Sequence, residues 1–519
     1  MEGLRLCLRP FVFVYGVIKM SVERQLIECI TRECDKLILR HHNYHNNLHL
    51  EWRRNKERVI DAPPKIIKEP EYWSLDKKFN PFYVKLKVKA IAKSISRKIE
   101  AGEYIPEPPH QKTIPKANGG TRELTIYQIP DAAVSRYFYE RLLAKNRHRF
   151  SSFSYAYRND RNVHFAIQDI AVDLSEDART FIAEFDFSDF FGSINHEYLY
   201  DQFDANGFLI SDEERGVIRA FLSRREKGIP QGTSISLFLA NLVCWRLDKS
   251  LEKEGLKFAR YADDTVIWSP DYASICRSFS LIASFSRDVG VEINTKKSAG
   301  ISLLARDGLR SEIVSKNEFD FLGYSIGVGR ISIRDKTEER IKKQISYLLY
   351  RNLIQPLKDF PLRGLIIPGN NRDRSLLIAM TQIRRYLYGG LLHRDIHEFI
   401  SGRRKNLYFK GVMSFYPLLN DEEQLRKLDG WLISTIYRCI RLRSELLLGH
   451  RHDRRHSFPF NVSRKELTRE FRRQRIKGKR LLEVPSFMLI YQALQRGLIE
   501  SGIEKVMHPE SVKYDYANT

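Results

Sequence analysis

Phe258-Ala259-Arg260-Tyr261-Ala262-Asp263-Asp264-Thr265-Val266-Ile267-Trp268 is the stretch whose reading decides the fold. Apolar and aromatic residues run up to two adjacent carboxylates, and a second run rich in β-branched and aromatic residues leaves them. That is the pattern of two buried strands joined by a tight polar turn. Asp263 and Asp264 then stand at the tip of a hairpin. Two like charges on a rigid turn repel unless a cation sits between them. Hard divalent cations held by one or two carboxylates plus substrate phosphates supply that charge, Mg²⁺ foremost.

A second acidic site lies upstream. Phe181-Ile182-Ala183-Glu184-Phe185-Asp186 is strand-like, and Phe187-Ser188-Asp189-Phe190-Phe191-Gly192-Ser193-Ile194 follows it. If that strand lies beside the hairpin, Asp186 and Asp263 converge and can clamp two metals, the device used for in-line displacement at phosphorus. Between the two sites, Gly228-Ile229-Pro230-Gln231-Gly232 makes a tight turn feeding a helix from about Thr233 to Glu252. The free N–H groups of a helix N-terminus suit a phosphate.

Composition points the same way. Lys and Arg number 87 against 64 Asp and Glu, a net charge of +23 on 519 residues, which calls for a polyanionic partner such as nucleic acid. A hydrophobic share of 43% excludes a mostly disordered chain. Cys7, Cys29, Cys34, Cys244, Cys276 and Cys439 show no paired short spacing, which excludes a disulfide framework or zinc ribbon and fits a reducing, cytoplasmic setting. The apolar run Phe11–Ile18 is too short to span a bilayer, so no membrane is expected, and Met20 is an alternative start. His41, His45 and His49 recur at i, i+4 spacing with no thiolate to complete a zinc site.

In chain order, residues 21–75 read as helical and polar. Residues 76–100 read as a basic amphipathic helix, ended by Pro106-Glu107-Pro108-Pro109. Ile114 to Ile126 is a hairpin turning at Asn118-Gly119-Gly120, straddled by Lys116 and Arg122. A helix opens at Pro130-Asp131, another covers 271–289, and Phe319–Tyr324 with Gly327–Ile333 forms a second hairpin. The helix from Lys336 to Lys358 carries Arg340, Lys342, Lys343 and Arg351 opposite an apolar face of Ile341, Ile345, Leu348 and Leu349. Residues 360–450 continue mostly helical. From Arg451 to Arg480 the chain is strongly basic, and Ser463-Arg464-Lys465-Glu466 reads as a capping box.

The ordered blocks Ile114–Ile126, Ser152–Arg158, Phe181–Ile194, Gly228–Ser234, Tyr261–Asp264 and Gly290–Ser298 resemble reverse transcriptases across roughly residues 80–350. The resemblance implies an α/β (α+β) right-hand polymerase. Residues 1–75 would be a helical extension, 76–180 fingers, and 181–335 a ferredoxin-like palm. Residues 336–450 would be a helical thumb with its following helices, and 451–519 a basic helical C-terminal region. It implies RNA-directed DNA synthesis from deoxynucleoside triphosphates, with two Mg²⁺ (Mn²⁺ the alternative) held by Asp186, Asp263, Asp264 and the Phe187 carbonyl. Asp189 would stay outside the metals. Lys297, next to Lys296, would protonate the leaving pyrophosphate. Lys116 and Arg122 would hold the triphosphate, Phe191 would exclude a 2′-hydroxyl, and Gln231 and Gly232 would lie against the nascent base pair. Arg158, Arg161, Lys343, Arg472, Arg473 and Arg475 would contact nucleic acid.

Within that family the chain looks most like the bacterial defence-associated group. The resemblance implies action against phage, a structured non-coding RNA template, a DNA product and, in some members, homo-oligomers. Retron and group II intron enzymes are the neighbouring alternatives, and no Cys/His endonuclease segment favours the intron type. The hydroxyl that starts synthesis would come from bound RNA or from a side chain such as those of Tyr514-Asp515-Tyr516. The rival reading is a catalytically idle RNA-binding scaffold, in which clustered acids would only repel RNA.

Overall fold

The computed structural model describes residues 21–56, 58, 62, 64–115, 120–176, 179–298, 300–306, 314–358, 373–449, 458–474 and 483–512. Lys116, Arg475, the Phe11–Ile18 run, Met20 and Tyr514–Tyr516 lie outside them, as does the side chain of Arg122.

Helix α1 (Val22–Lys56) buries Leu26, Cys29, Ile30 and Cys34 in one core with the helices that follow it in the fingers. Its His41 packs on Trp73 with ring centres 5.3 Å apart, and His49 on Trp52 at 5.5 Å. His41 and His49 thus serve aromatic packing. The single helix expected over 76–100 is instead two, α2 (Pro81–Leu86) and α3 (Val88–Glu100). Proline is tolerated only in a helix's first turn. Here the Asn80 side chain caps that turn by accepting from the Phe82 and Tyr83 N–H groups. Strands β1 (His110–Pro115) and β2 (Thr121–Ile126) pair antiparallel with Ile114 opposite Arg122. Helices α4 (Ile129–Asn146) and α5 (Val163–Glu176) complete this part.

β3 (Arg179–Phe185) leads through the two-residue β4 (Phe187–Ser188) and the single turn α6 (Phe190–Ser193) to α7 (His196–Ala205), α8 (Asp212–Leu222) and α9 (Ser234–Lys253). The hairpin β5 (Lys257–Tyr261) and β6 (Asp264–Ser269) follows, then α10 (Tyr272–Val289), β7 (Glu292–Ile293), β8 (Gly300–Ala305) and β9 (Ser315–Lys316). The main sheet has the order β5-β6-β3-β8-β9, which puts β3 between two antiparallel neighbours. Side chains alternate across a strand. Accordingly Ala183, Phe185, Phe258 and Ile267 enter one core with α1, α4, α9 and α10. Ile182, Val266, Trp268 and Leu304 enter a second, with α5 and the C-terminal helices.

The antiparallel sheet β10 (Glu318–Phe321), β11 (Tyr324–Gly327) and β12 (Arg330–Ile333) hands over to α11 (Asp335–Leu349), which buries Ile341, Ile345 and Leu349 and exposes Lys343. One wider turn, Tyr350–Ile354, joins α11 to α12 (Gln355–Lys358). Then come α13 (Arg374–Tyr388), α14 (His393–Ile400), α15 (Glu422–Gly449), α16 (Leu467–Arg473), α17 (Phe487–Ser501) and α18 (Ile503–Val506). α17 shares the second core with α11, α13 and α15. The expected capping box does not form. The Ser463 hydroxyl donates to the Glu466 carboxylate at 2.8 Å instead of accepting the Glu466 N–H, which goes to the Ser463 carbonyl at 3.2 Å, and the helix begins at Leu467.

Candidate active site

The hairpin turn is set by a charge buried behind it. Arg260 is 1% exposed and meets the fully buried Asp248 of α9 through two contacts of 2.6 Å. Its remaining donors go to Ser154 Oγ at 2.7 Å, Asn241 Oδ1 at 3.3 Å and the Ala262 carbonyl at 3.0 Å. Ala262 has φ 61°, a left-handed conformation costly for a residue with a Cβ, and the bond from Arg260 holds it there. The turn then places Asp263 and the start of β6 at the end of the sheet. Because Phe185 faces Thr265, Asp186 emerges beside Asp264.

Asp186 is 6% exposed, and one of its oxygens receives Lys297 Nζ at 2.7 Å and Asn294 Nδ2 at 2.9 Å. Its carbonyl accepts the Asn294 N–H at 2.8 Å, so the segment after β7 delivers both side chains. That geometry selects Lys297 over its neighbour Lys296. Asp264, the first residue of β6, is exposed beside Asp186. Desolvation among its neighbours, then repulsion from Asp263 and Asp186, pushes its carboxyl up to about 7, with Lys297 opposing. Hydrogen bonding to Asp186 in turn raises the Lys297 ammonium.

These residues fit a divalent metal. Asp186, Asp263 and Asp264 lie close enough to repel one another even with Lys297 on Asp186, and carboxylate and carbonyl oxygens are the donors that Mg²⁺ and Mn²⁺ prefer. Among the described residues no three His, Cys, Asp or Glu side chains form a ready-made cage. Mg²⁺ needs none, since substrate phosphates and water supply the rest of its shell.

Asp186 and Asp263 floor a cleft of about 760 Å³ lined also by Phe187, Phe191, Gln231 and Lys297. Phe191 is 8% exposed, set edge-on to Tyr157 at 6.4 Å and Phe190 at 5.8 Å. Asp189 folds back over Gly192, whose Cβ, if present, would lie 2.2 Å from its Oδ2. The 228–232 loop ties this wall to the β1–β2 hairpin. The Ile229 N–H donates to the Phe191 carbonyl at 2.6 Å, and the Thr125 N–H to the Gln231 carbonyl at 2.9 Å. Gly232 has φ 127°, and a Cβ there would sit 2.3 Å from the Thr125 oxygen, so only glycine allows the approach.

Other sequence expectations fare differently. Arg158 is 5% exposed, its guanidinium taken by the Ser151 carbonyl at 2.6 Å and Asp160 at 2.8 Å. It braces the fingers block and is not available to a template. Arg161 is half-buried, 6.0 Å over the Tyr155 ring. The α9 N-terminus is not open to a phosphate, because the Ile235 N–H donates to Ser135 Oγ at 2.9 Å. Lys343, Arg472 and Arg473 are exposed, Arg473 pairing with Glu470 at 2.9 Å. Residues not singled out from the sequence are Arg260, Asn294 and Arg225, the last lining the cleft and donating to Thr125 Oγ1 at 3.3 Å. Arg260 carries a signal, a full charge inside the run Phe258 to Ala262.

A central antiparallel strand and a hairpin bearing converging acids, covered by a β-hairpin on one side and a helical bundle on the other, define a right-hand polymerase fold. Residues 114–326 match the family described as reverse transcriptase (RNA-dependent DNA polymerase), and this segment is a reverse transcriptase domain. Over 170 residues the chain is 30% identical to Protein YkfC of Escherichia coli strain K12, covering 30% of this chain and 44% of that one. Over 156 residues it is 26% identical to the Retron Ec86 reverse transcriptase of Escherichia coli, covering 29% of this chain and 45% of that one. The matched span is thus less than half the length of either relative. Among solved structures, telomerase from Candida albicans superposes with a TM-score of 0.35 at 13% identity, over 72% of this chain and 67% of that one. Among the described residues no helix is long and apolar enough to cross a membrane.

Proposed function

We propose that the chain is an RNA-directed DNA polymerase that extends a primer hydroxyl with deoxynucleoside triphosphates on an RNA template. The observation that carries this reading is the convergence of Asp186 and Asp263 at the floor of a cleft walled by Phe191 and Gln231, with Asp264 near enough to both to feel their charge. When bound at Asp186, Asp263, Asp264 and the Phe187 carbonyl, two Mg²⁺ ions would activate the primer hydroxyl and neutralise the leaving pyrophosphate. Lys297 holds counter-charge at Asp186 and stands ready as the general acid toward pyrophosphate. Phe191 fills the space a 2′-hydroxyl would need. Gln231 and Gly232, fixed to Thr125, form the shelf against the new base pair. Lys343 on α11 and the basic α16 offer exposed charge to nucleic acid.

The closeness of the sequence blocks to bacterial defence-associated enzymes supports a role in antiviral defence with a dedicated structured RNA, in the cytoplasm. The retron relative keeps a retron-type role as the second reading. The test is primer extension on an RNA template with Mg²⁺, comparing wild type with Phe191→Ala. The wild type should incorporate deoxynucleotides, and the variant should lose discrimination against ribonucleotides by at least about tenfold, the scale of one misfitted group in a pocket. No extension by the wild type favours the scaffold reading, and unchanged discrimination removes Phe191 as the gate.

A further inference from the structure

Away from the cleft, the C-terminal end of α1 meets the helices after the palm around a cavity of about 190 Å³. Among the described residues its charged lining is Arg54, Arg58, Lys65 and Arg351 with the carboxylate of Glu51. Glu51 is engaged already, 3.0 Å from Arg351. Arg58 is 8% exposed, and its two terminal nitrogens reach only the amides Asn55 at 2.6 Å and Asn352 at 3.4 Å. Its Nε is buried with no partner. Asn352 is fixed in turn by Gln382 at 2.6 Å and the Leu348 carbonyl at 2.7 Å, so the cradle is rigid. Burial, then repulsion from Arg443, holds the Arg58 guanidinium below the ordinary arginine range. Arg443 is itself committed to Asp373 at 3.0 Å. A buried cation with an open donor and no carboxylate of its own among the described residues is an expensive arrangement unless an anion completes it.

We propose that this junction is a phosphate site that takes one backbone phosphate of the nucleic acid bound by the protein. The size argues for a phosphate rather than a nucleotide, because sites for whole small ligands begin at about 300 Å³. A guanidinium with a free donor is the side chain best matched to phosphate oxygens. The net charge of +23 makes a nucleic acid the polyanion at hand. A phosphate seated here would tie α1 to α12 and α13, so the strand would be gripped where the N-terminal helix and the thumb meet. The inference rests on the polymerase reading for its occupant.

The test is fluorescence anisotropy of a labelled RNA–DNA hybrid across a salt series, with wild type, Arg58→Gln, and the double variant Arg54→Gln/Lys65→Gln. The double variant spares Arg58 and covers the case in which Arg58→Gln fails to fold. Each lost phosphate contact lowers the salt slope by about 0.7–0.9, and that fall is expected in Arg58→Gln. In parallel, inorganic phosphate should raise the melting temperature of the wild type and not of Arg58→Gln. An unchanged slope in every folded variant overturns the proposal, and if the phosphate-dependent shift persists in wild type alone, the site serves free phosphate instead. A wild type that binds the hybrid and extends its primer while the variants match it sinks this inference alone. A wild type that neither binds nor extends sinks the polymerase reading with it.

Discussion

The two charge clusters flanking the β5–β6 hairpin are built on opposite principles. Behind the hairpin, Arg260 and Asp248 are both interior, joined by two short contacts, and Ser154, Asn241 and the Ala262 carbonyl satisfy what remains. At its tip, Asp186, Asp263 and Asp264 crowd together with Lys297 on Asp186, and Asp264 is driven up to about 7. A completed pair fixes geometry, and an incomplete cluster keeps a place for charge that arrives with the substrate. Removing one partner from a buried pair leaves the other uncompensated. Removing one member of a like-charged cluster relieves repulsion.

The contrast yields three outcomes. The largest is in activity. Asp263→Asn should reduce primer extension by about 10³-fold or more, since several kcal/mol of transition-state stabilisation by metal is at stake. Its melting temperature in chelator should not fall. Substantial residual extension would dissolve the distinction from the catalytic side. Next, Asp248→Asn strands Arg260 in the interior and should lower unfolding stability by about 3–5 kcal/mol in urea titration. Stability within about 0.5 kcal/mol of wild type would mean that the hairpin does not depend on the pair. The smallest effect should run the other way. Asp264→Asn, measured without metal, should gain about 1 kcal/mol, limited by solvent screening at the open cleft. A loss there would show that the acids at the tip are structurally compensated after all.

Much of this arrangement is legible in the sequence because it is local. The hairpin acids, Asp186 at a strand end and the Gly228–Gly232 turn all announce themselves through short-range pattern and turn chemistry. What sequence reading misses is fixed by partners far along the chain. Arg158 looks like a surface arginine in a polar loop, yet the Ser151 carbonyl and Asp160 enclose it. Ser135, 100 positions before Ile235, closes the α9 N-terminus. Asn294 acquires meaning only when the sheet brings it to Asp186. The start of α2 is readable, because Pro81 after Asn80 is a helix start, whereas the break at Lys87 has no such local signal. The tails are the converse case. α1 and α17 look like appendages by composition, but each contributes side chains to one of the two main cores.

The junction of Gly232 with Thr125 bears on how the cleft can move. The last residues of β2 are held to the palm by the Thr125–Gln231 hydrogen bond, at a spacing that leaves no room for a side chain. The hairpin is therefore clamped at its root like a cantilever. Gln231 and Gly232 cannot move apart from the last residues of β2. Through Ile229, whose N–H is held by the Phe191 carbonyl, the same loop keeps the base of the hairpin in register with Phe191.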